Sequence, residues 1–597
     1  MHHQPVPPHA QAGMTRLSLL LLLLALPQPA QAERLAITDA VIFEASGKAP
    51  YLGTVIIRDG RIEALGPGLK RPRDAKLLRA RGQALLPGLI DVHTHWGPGG
   101  EPGSLPAIAS RYIQSGVTTV NDFHQQPEAF APRRAWLAGL VAPHVNFVAR
   151  LSTPGGHGAD WGDMATTRWV SSPETATAAV KALQAYRPDH IKLFADGWRY
   201  DMDPDNSNMN RQTMAAAVKV AHGHGQRVLS HVVTVDHARE AALAGVDVIA
   251  HSIQDRPIDA ETVDVIRRAG TYYAPTFAIY EPRKPADTQE PDLSDPIVRQ
   301  RIRKYGFAES NMRALHAAGV PVVLGTDAGI TGAPHGSSTL HELELMVRAG
   351  LSPEQALVAG TATAARALAI DHDRGRLQPG LRADMILVDG RPWEKIEDIR
   401  RISHVILDGA VVLGPGTPLP AANRAPALPA MQVAPLIDDF ERDDDRTSLD
   451  TLRITDMENG TDRSLVLPGR ISRTDGGHSL MISARMADKP SPRARVIFPL
   501  SRGSVQPVDV RSYTGLRLDL RGAGSYRIRL IGPGGSWSLH VEGGANWQQL
   551  DLPFATFKPE GRETSPPNNA DLWQVSIELG SPAGTYAWAE LDNIGFY

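Results

Sequence analysis

The sequence of 597 residues contains no cysteine. Disulfide frameworks, cysteine-ligated zinc sites and thiol catalysis are therefore excluded. Charge is almost balanced, with 62 lysine and arginine residues against 65 aspartate and glutamate residues, so a nucleic-acid partner is not expected. Apolar residues rarely form long runs, and the longest run, at residues 17–26, has about half the length of a transmembrane helix. Any metal site must use carboxylates and the 21 histidines.

The apolar run at residues 17–26 predicts a signal peptide instead of a membrane span. Arg16 precedes the run, and Ala30 and Ala32 follow it in the small-residue pattern of a cleavage site. We therefore expect cleavage near Ala32, removal of residues 1–32, and a periplasmic or secreted mature protein. No later segment is apolar enough over sufficient length to span a bilayer.

Between residues 89 and 370, short apolar runs alternate with longer segments of helical period. This alternation predicts parallel strands joined by helices, and eight such runs match the strand number of an α/β (β/α)8 barrel, the TIM barrel. A doubly wound open sheet is the alternative, but it would usually carry a glycine-rich loop after the first strand. Here that strand ends in His93-Thr94-His95. The predicted strands are residues 88–93, 117–122, 145–150, 190–195, 227–231, 247–251, 272–277 and 321–327.

Shorter strand-like segments flank this region on both sides. Residues 33–88 alternate in polarity around the hairpin signal Asp59-Gly60, and residues 371–415 return to the same pattern. We expect the two flanks to form one small composite β-domain. Residues 416–434 are rich in proline and alanine and predict a linker. Residues 435–597 have frequent glycine turns and predict an all-β sandwich, jelly-roll-like in type.

Polar side chains stand at the ends of five predicted barrel strands. Because the working residues of such barrels lie at the carboxyl ends of the strands, these side chains are expected to converge. His93 and His95 are two residues apart on one strand and therefore point the same way. Imidazoles with a carboxylate form a ligand set for zinc or a similar divalent ion. The convergent residues are His93, His95, Lys192, His231, His251 and Asp327.

Lys192 is an unusual member of this set, because burial of an ammonium group on a strand is costly. An ion pair with a buried acid would offset that cost. Reaction with carbon dioxide would instead convert the amine into a carbamate, an anionic oxygen ligand that can bridge two cations. Both interpretations are open from the residue alone.

The motifs of residues 33–415 resemble those of the metal-dependent amidohydrolase superfamily, most closely its imidazolonepropionase-like and prolidase-like members. The resemblance implies an enzyme with two divalent ions, zinc above all, and a carbamate on Lys192. One metal is expected on His93, His95, Lys192 and Asp327, and the other on Lys192, His231 and His251. The motifs that carry the resemblance occupy residues 86–95, 153–158, 191–195, 244–251, 325–329 and 377–384.

The resemblance further implies hydrolysis of an amide-type C–N bond by a hydroxide that the two cations share. Asp327 is expected to accept a proton from this nucleophile and to pass it to the departing nitrogen. Lys192 and His251 are expected to take part in catalysis through the metal centre. A dipeptide, as for a prolidase-like dipeptidase, is the small-molecule substrate that this group of relatives suggests.

Three further residues are candidates for substrate binding. His157 lies in the Gly155-Gly156-His157-Gly158 segment, which lies near the substrate in the relatives, although it could instead order that segment. Trp198 and Arg199 follow the strand of Lys192. The guanidinium of Arg199 could bind a substrate carboxylate through two parallel hydrogen bonds. Their alternative interpretation is an ordinary surface loop.

Other functions remain open on the same scaffold. Deaminases of the superfamily carry an acid shortly after the histidine that His231 matches, whereas here the next acid is Asp236. A lactone or carbamate hydrolase would use the same nucleophile. A non-catalytic surface binding protein is the alternative of a different class, and it would be favoured if metal ligands were missing.

Residues 436–597 resemble the family named after a complex I intermediate-associated protein, a β-sandwich similar to galactose-binding modules. This resemblance suggests either a glycan partner or an intramolecular contact with the barrel. Stacking on sugar rings would require exposed tryptophans, whereas aromatic residues on strands more often belong to the core. The candidates are Trp537, Trp547, Trp573 and Trp588.

Overall fold

The computed structural model describes eight segments of the chain. The predicted signal segment lies outside them, and so do Trp198 and Arg199. Among the described residues, no helix has both the length and the apolar character needed to cross a membrane. The described segments are residues 34–97, 105–159, 165–196, 207–282, 290–425, 427–458, 462–561 and 565–597.

A parallel barrel forms the centre of the molecule, as the alternation of apolar runs predicts. Seven strands hydrogen-bond to one another in chain order. Successive residues of a barrel strand face opposite sides of the sheet. On the first strand, for example, Leu89 packs against the surrounding helices, whereas Ile90 packs against Val148 and Leu229 inside the barrel. The strands are β1 (Leu89–Thr94), β2 (Val117–Asp122), β3 (His144–Ser152), β4 (His190–Phe194), β5 (Val228–His231), β6 (Val248–Ala250) and β7 (Tyr272–Ala274).

The eighth predicted strand, residues 321–327, is an extended segment and not a regular strand. Its backbone still closes the barrel, because Val323 donates to a β7 carbonyl at 2.9 Å and Leu324 accepts from a β1 amide at 3.0 Å. Asp327 lies within this segment at a positive φ of 60°, and pairing with the first strand continues past it, because Ala328 bridges Thr94 and accepts from the His95 amide at 2.7 Å. The fold is therefore the expected (β/α)8 barrel, with seven regular strands and one irregular one.

Helices cover the outside of the barrel, and among the described helix starts five have a capping side chain that accepts a backbone amide. At helix Pro173–Leu183 the Ser172 side chain accepts a hydrogen bond from the Thr175 amide, and the Thr175 side chain accepts one from the Ser172 amide. The helices are α1 (Leu105–Gln114), α2 (Phe130–Leu137), α3 (Pro173–Leu183), α4 (Arg211–Gly223), α5 (Val235–Leu243), α6 (Ala260–Ala269), α7 (Phe277–Tyr280), α8 (Pro296–Ala317), α9 (Ser337–Arg348), α10 (Pro353–Ala359) and α11 (Ala362–Ala367).

The two flanks of the barrel pair in one eight-stranded sheet. Asp59 and Gly60, both at positive φ, form the tight turn between strands Tyr51–Arg58 and Arg61–Gly66. Strand Ala84–Pro87 joins the flanks, because it pairs with Arg34–Ile42 on one side and Met385–Val388 on the other. The strands are Arg34–Ile42, Tyr51–Arg58, Arg61–Gly66, Lys76–Arg79, Ala84–Pro87, Met385–Val388, Ile402–Leu407 and Ala410–Leu413.

The C-terminal region contains two six-stranded antiparallel sheets that share one apolar core. Of the four tryptophans named above, Trp537 lies in that core and donates to the Ser565 carbonyl at 2.7 Å. The other three are partly exposed. One sheet contains Leu436–Asp438, Leu465–Ser472, His478–Arg485, Gly515–Arg521, Gln548–Pro553 and Tyr586–Phe596, and the other Ile454–Met457, Ala494–Pro499, Ser525–Gly532, Gly535–Glu542, Lys558–Pro559 and Gln574–Gly580.

A charged network joins helix α9 to the composite sheet and predicts a pH-dependent stability. His341 contacts Glu281 at 2.7 Å and Glu344 at 3.3 Å, and Glu344 pairs with Arg400. Burial alone would lower the pKa of His341, but the hydrogen bonds to the two carboxylates raise it to about 9. A raised pKa means that the protonated imidazole stabilises the folded state below about pH 6.5, and that this contribution is lost as the pH rises through about 9.

Replacement of His341 by glutamine should therefore lower the melting temperature most at mildly acidic pH. The difference between wild type and His341→Gln should shrink as the pH is raised towards about 9, where the imidazole loses its proton. Thermal unfolding followed by circular dichroism over this pH range measures it. A difference that stays constant with pH would contradict the assignment of a charged imidazole.

Candidate metal centre

Three of the predicted ligands meet in a compact group at the carboxyl ends of the barrel strands. The Nε2 atoms of His93 and His95 lie 3.3 Å apart. One carboxylate oxygen of Asp327 lies 3.2 Å from His93 Nε2 and 2.8 Å from His95 Nε2. The left-handed conformation of Asp327 turns its carboxylate towards the two rings. These three groups are close enough to hold one metal ion.

Lys192 points into the same group from strand β4. Its Nζ lies 3.4 Å from His93 Nε2, and the side chain is fully enclosed. The rings of Phe123 and Phe194 flank the amine, with centroids at 4.8 and 5.6 Å. Burial lowers the pKa of Lys192 to about 7, although Asp327 opposes this shift. A substantial fraction of the amine is therefore neutral near pH 7.

His231 and His251 extend the group across the next two strands. The ring of His251 lies 4.5 Å from that of His93 and 4.6 Å from that of His231, measured between centroids. Burial holds the pKa of both imidazoles well below its usual value. The Nδ1 atom of His251 contacts Thr276 Oγ1 at 2.9 Å, so its Nε2 atom is left for the centre.

His157, the candidate substrate residue of the third strand's loop, also lies in the site. Its ring centroid is 4.2 Å from that of His231 and 5.4 Å from that of Phe194. Ser152 Oγ donates to the His157 carbonyl at 2.7 Å, which anchors the segment to the end of strand β3. Six predicted metal-site residues and His157 are thus brought together, while Trp198 and Arg199 are outside the described residues.

Asp91 holds the backbone of the metal centre in place through hydrogen bonds, and it was not predicted from the sequence as a functional residue. Its buried carboxylate accepts hydrogen bonds from Thr326 at 2.7 Å and Thr339 at 2.8 Å, and from the His93 amide at 3.2 Å. Burial raises its pKa to about 7. These bonds fix the strand that carries His93 against the segment that carries Asp327. Its only sequence signal is its place two residues before His93, on a strand without other charges.

Two further contacts around the ligands were also missed from sequence. His124, at the end of strand β2, places its Nδ1 atom 3.3 Å from His95 Nδ1. His124 could have been predicted from the sequence, because it follows a predicted strand in the same way as the other histidines of the site. Glu342 on helix α9 accepts the amides of Phe277 and Ala278 at 2.8 and 2.7 Å, and so holds the turn that presents Thr276. No local pattern links it to the site.

The donor set fits divalent metal ions. Burial, together with the neighbouring Lys192, lowers the pKa of His93 to about 3, so its ring is neutral and offers a lone pair at neutral pH. The pKa of Asp327 is held well below its usual range, against the effect of burial, by His251 and by hydrogen bonds with His93 and His95. Neutral imidazoles facing a carboxylate at such distances are typical of a site for zinc or a similar ion.

Comparison with known proteins identifies the family. A model of the amidohydrolase family matches residues 84–412. Imidazolonepropionase of Chromobacterium violaceum is 25% identical over 377 residues, which are 56% of this chain and 84% of that protein. Imidazolonepropionase of Deinococcus deserti is 27% identical over 390 residues, or 57% of this chain and 86% of that protein.

Solved structures agree with this match. A protein of Bifidobacterium longum, proposed to be a prolidase, is 28% identical with a TM-score of 0.56 and covers 66% of this chain and 98% of its own. A Xaa-Pro dipeptidase with bound methionine shares the fold at 23% identity and a TM-score of 0.56, over 64% of this chain and 100% of its own. The chain belongs to the amidohydrolase family, in its imidazolonepropionase-like and prolidase-like group. It is a metal-dependent hydrolase of amide-type bonds.

Proposed function

We propose that the protein is an exported hydrolase with two divalent metal ions, zinc above all, that cleaves the C–N bond of dipeptides. The convergence of His93, His95, Lys192, His231, His251 and Asp327 on one enclosed group carries this proposal. The dipeptide substrate is supported by the likeness to the Bifidobacterium longum protein and by the predicted signal peptide.

The side chains have distinct tasks in this reaction. Bound divalent ions supply a nucleophile from water at neutral pH and polarise the substrate carbonyl. Asp327 accepts a proton at its carboxylate and delivers it to the leaving nitrogen, which is a poor leaving group without that proton. His93 and His95 would hold one ion with Asp327, while His231 and His251 would hold the second. His157 faces the same space and orients the substrate.

A carbamate on Lys192 is part of the proposal. A lysine ammonium 3.4 Å from a ligand nitrogen would repel a metal ion, whereas a carbamate would bind it. Addition of the neutral amine to carbon dioxide forms a new N–C bond and releases one proton, so the cationic group becomes an anionic ligand. The enclosed position between Phe123 and Phe194 protects the product from water.

A substrate screen with zinc-loaded protein tests the proposal. Dipeptides with free carboxylates should be hydrolysed, and elemental analysis should find two metal ions for each chain. N-acyl amino acids, lactones and carbamates belong in the same screen, because the same nucleophile attacks any activated carbonyl. Turnover of those compounds without any dipeptide hydrolysis would refute the dipeptide assignment. Immunodetection in fractions of the producing cells tests export, and a protein confined to the cytoplasm would contradict it.

Thr276 provides a sharp test of the His251 ligand. Replacement by valine keeps the branched shape but removes the hydroxyl that orients His251, so metal affinity or turnover should fall about 10- to 100-fold. Titration of the metal-free protein with zinc measures the affinity. Thr276→Ser retains the hydroxyl and should stay close to wild type. Equal zinc affinity of the valine and serine variants would exclude a role for this hydrogen bond.

A further inference from the structure

The C-terminal sandwich touches the barrel at two segments that follow barrel strands at the catalytic face. One is the segment after β2, which contains His124 and the short helical turn Pro127–Ala129. The other is the segment after β3, which contains His157. Both therefore connect the sandwich to residues that contact proposed metal ligands.

Arg446 of the sandwich makes the first connection. Its guanidinium pairs with both carboxylate oxygens of Glu128, at 2.6 and 3.4 Å, and Glu128 is 5% exposed. Gly503 of the sandwich lies so close that a Cβ atom there would be 2.5 Å from the Ala129 Cα atom. A charge-assisted pair and a direct backbone approach thus fix the segment after β2.

Arg463 makes the second connection, to Ala159 in the segment after β3 and to Trp169 in the short strand that follows it. Its guanidinium donates to the Ala159 carbonyl and lies 5.0 Å from the ring centroid of Trp169. Ala159 is two residues from His157, whereas Trp169 belongs to the strand Thr167–Trp169, which pairs with β3. One arginine therefore links the backbone two residues after His157 to the short strand that pairs with β3.

Between these connections the two domains do not pack continuously. A cavity of about 170 Å³ separates them, lined by Gln126, Glu128 and Arg168 of the barrel and by Leu452, Arg453 and Thr455 of the sandwich. The two domains are therefore not in direct contact across this cavity. Contacts beside it join them, among them the pair of Arg446 with Glu128 and the approach of Gly503 to Ala129.

We infer that the C-terminal sandwich is a working part of the substrate site, in which Arg463 positions the His157 segment and Arg446 positions the segment after β2. The inference rests on the proposed hydrolase function, which it extends to a domain that contributes none of the proposed metal ligands. Arg463 and Arg446 are positioning residues, because they act through His157 and His124 and do not reach the reacting atoms.

Kinetics of full-length variants test this assignment. Arg463→Ala should raise KM about 10-fold or more while kcat, zinc content and melting temperature stay close to wild type. Arg463→Lys keeps a cation near Trp169 and a donor for the Ala159 carbonyl, so it should recover most of the affinity. Glu128→Gln, at the other connection, should raise KM as well. Arg517→Ala is the matched control, since Arg517 pairs with Asp551 inside the sandwich.

Hydrogen–deuterium exchange separates this inference from the proposed function. Amides of residues 153–159 should exchange faster in Arg463→Ala than in wild type or Arg517→Ala. Unchanged exchange in these amides would overturn the inference, and so would faster exchange with an unchanged KM, because the contact would then be purely structural. A wild-type protein without hydrolytic activity would refute the proposed function, and the exchange result alone would then decide whether Arg463 positions the segment.

Discussion

Replacement of Asp327 by asparagine should lower kcat by about 1,000-fold or more, within the range that general acid–base groups contribute. The amide has nearly the same shape, so the fold around it should persist. It cannot accept a proton, however, and its oxygen is a weaker ligand than a carboxylate oxygen 2.8 Å from His95. The reaction would lose both the proton acceptor and the proton donor to the leaving nitrogen. Steady-state kinetics on a dipeptide substrate measures the loss.

Asp236→Asn is a suitable control for this change. Asp236 is a carboxylate on helix α5, paired with Arg256 at the surface, and the same substitution there should leave kcat within about twofold, as expected for a surface site. Circular dichroism should show that both variants fold. If Asp327→Asn retained turnover close to that of Asp236→Asn, the role of Asp327 as proton shuttle would be wrong.

Replacement of Lys192 by alanine should also reduce turnover by about 1,000-fold or more, because the variant could not form the carbamate that we propose as a metal ligand. The variant leaves a space beside His93 that a short carboxylate can enter. Acetate or propionate should therefore restore part of the activity in a saturable manner. Elemental analysis should show fewer than two metal ions in the variant and recovery of metal when the carboxylate is present.

Lys192→Met distinguishes rescue from a general salt effect. Methionine fills the space between Phe123 and Phe194 without offering an oxygen, so added carboxylate should not restore its activity. Rescue of both variants alike would indicate a nonspecific effect. Full activity of Lys192→Met without any carboxylate would show that neither the lysine nor its carbamate is needed.

Much of the fold could be predicted from local patterns. Apolar runs of strand length, separated by helical segments, indicated the barrel, and the Asp59-Gly60 pair indicated the hairpin of Tyr51–Arg58 with Arg61–Gly66. The prediction of a regular eighth strand was wrong in detail, because sequence periodicity cannot show that Asp327 adopts a positive φ. That departure from regular structure is what aims its carboxylate at the two histidines.

The sequence predicted the members of the candidate site that lie at strand ends, because strand ends can be located from the apolar runs. His93, His95, Lys192, His231 and His251 stand at or near the carboxyl ends of strands, and parallel strands bring those ends together. The supporting residues follow no such rule. Glu342 reaches the site through the turn that holds Thr276, across more than 60 residues of chain, so no motif records it.

The sequence by itself determined the class of ligand, because with no cysteine a metal site had to use histidine and carboxylate, and it determined the strands that carry them. Only the tertiary structure decided which atoms meet, which carboxylates brace the ligands, and that the sandwich touches the segments of His124 and His157. The physical reason is that strand periodicity is a short-range property of the chain. Contacts such as Arg446 with Glu128 depend on the relative placement of whole domains, to which residues distant in the chain contribute together.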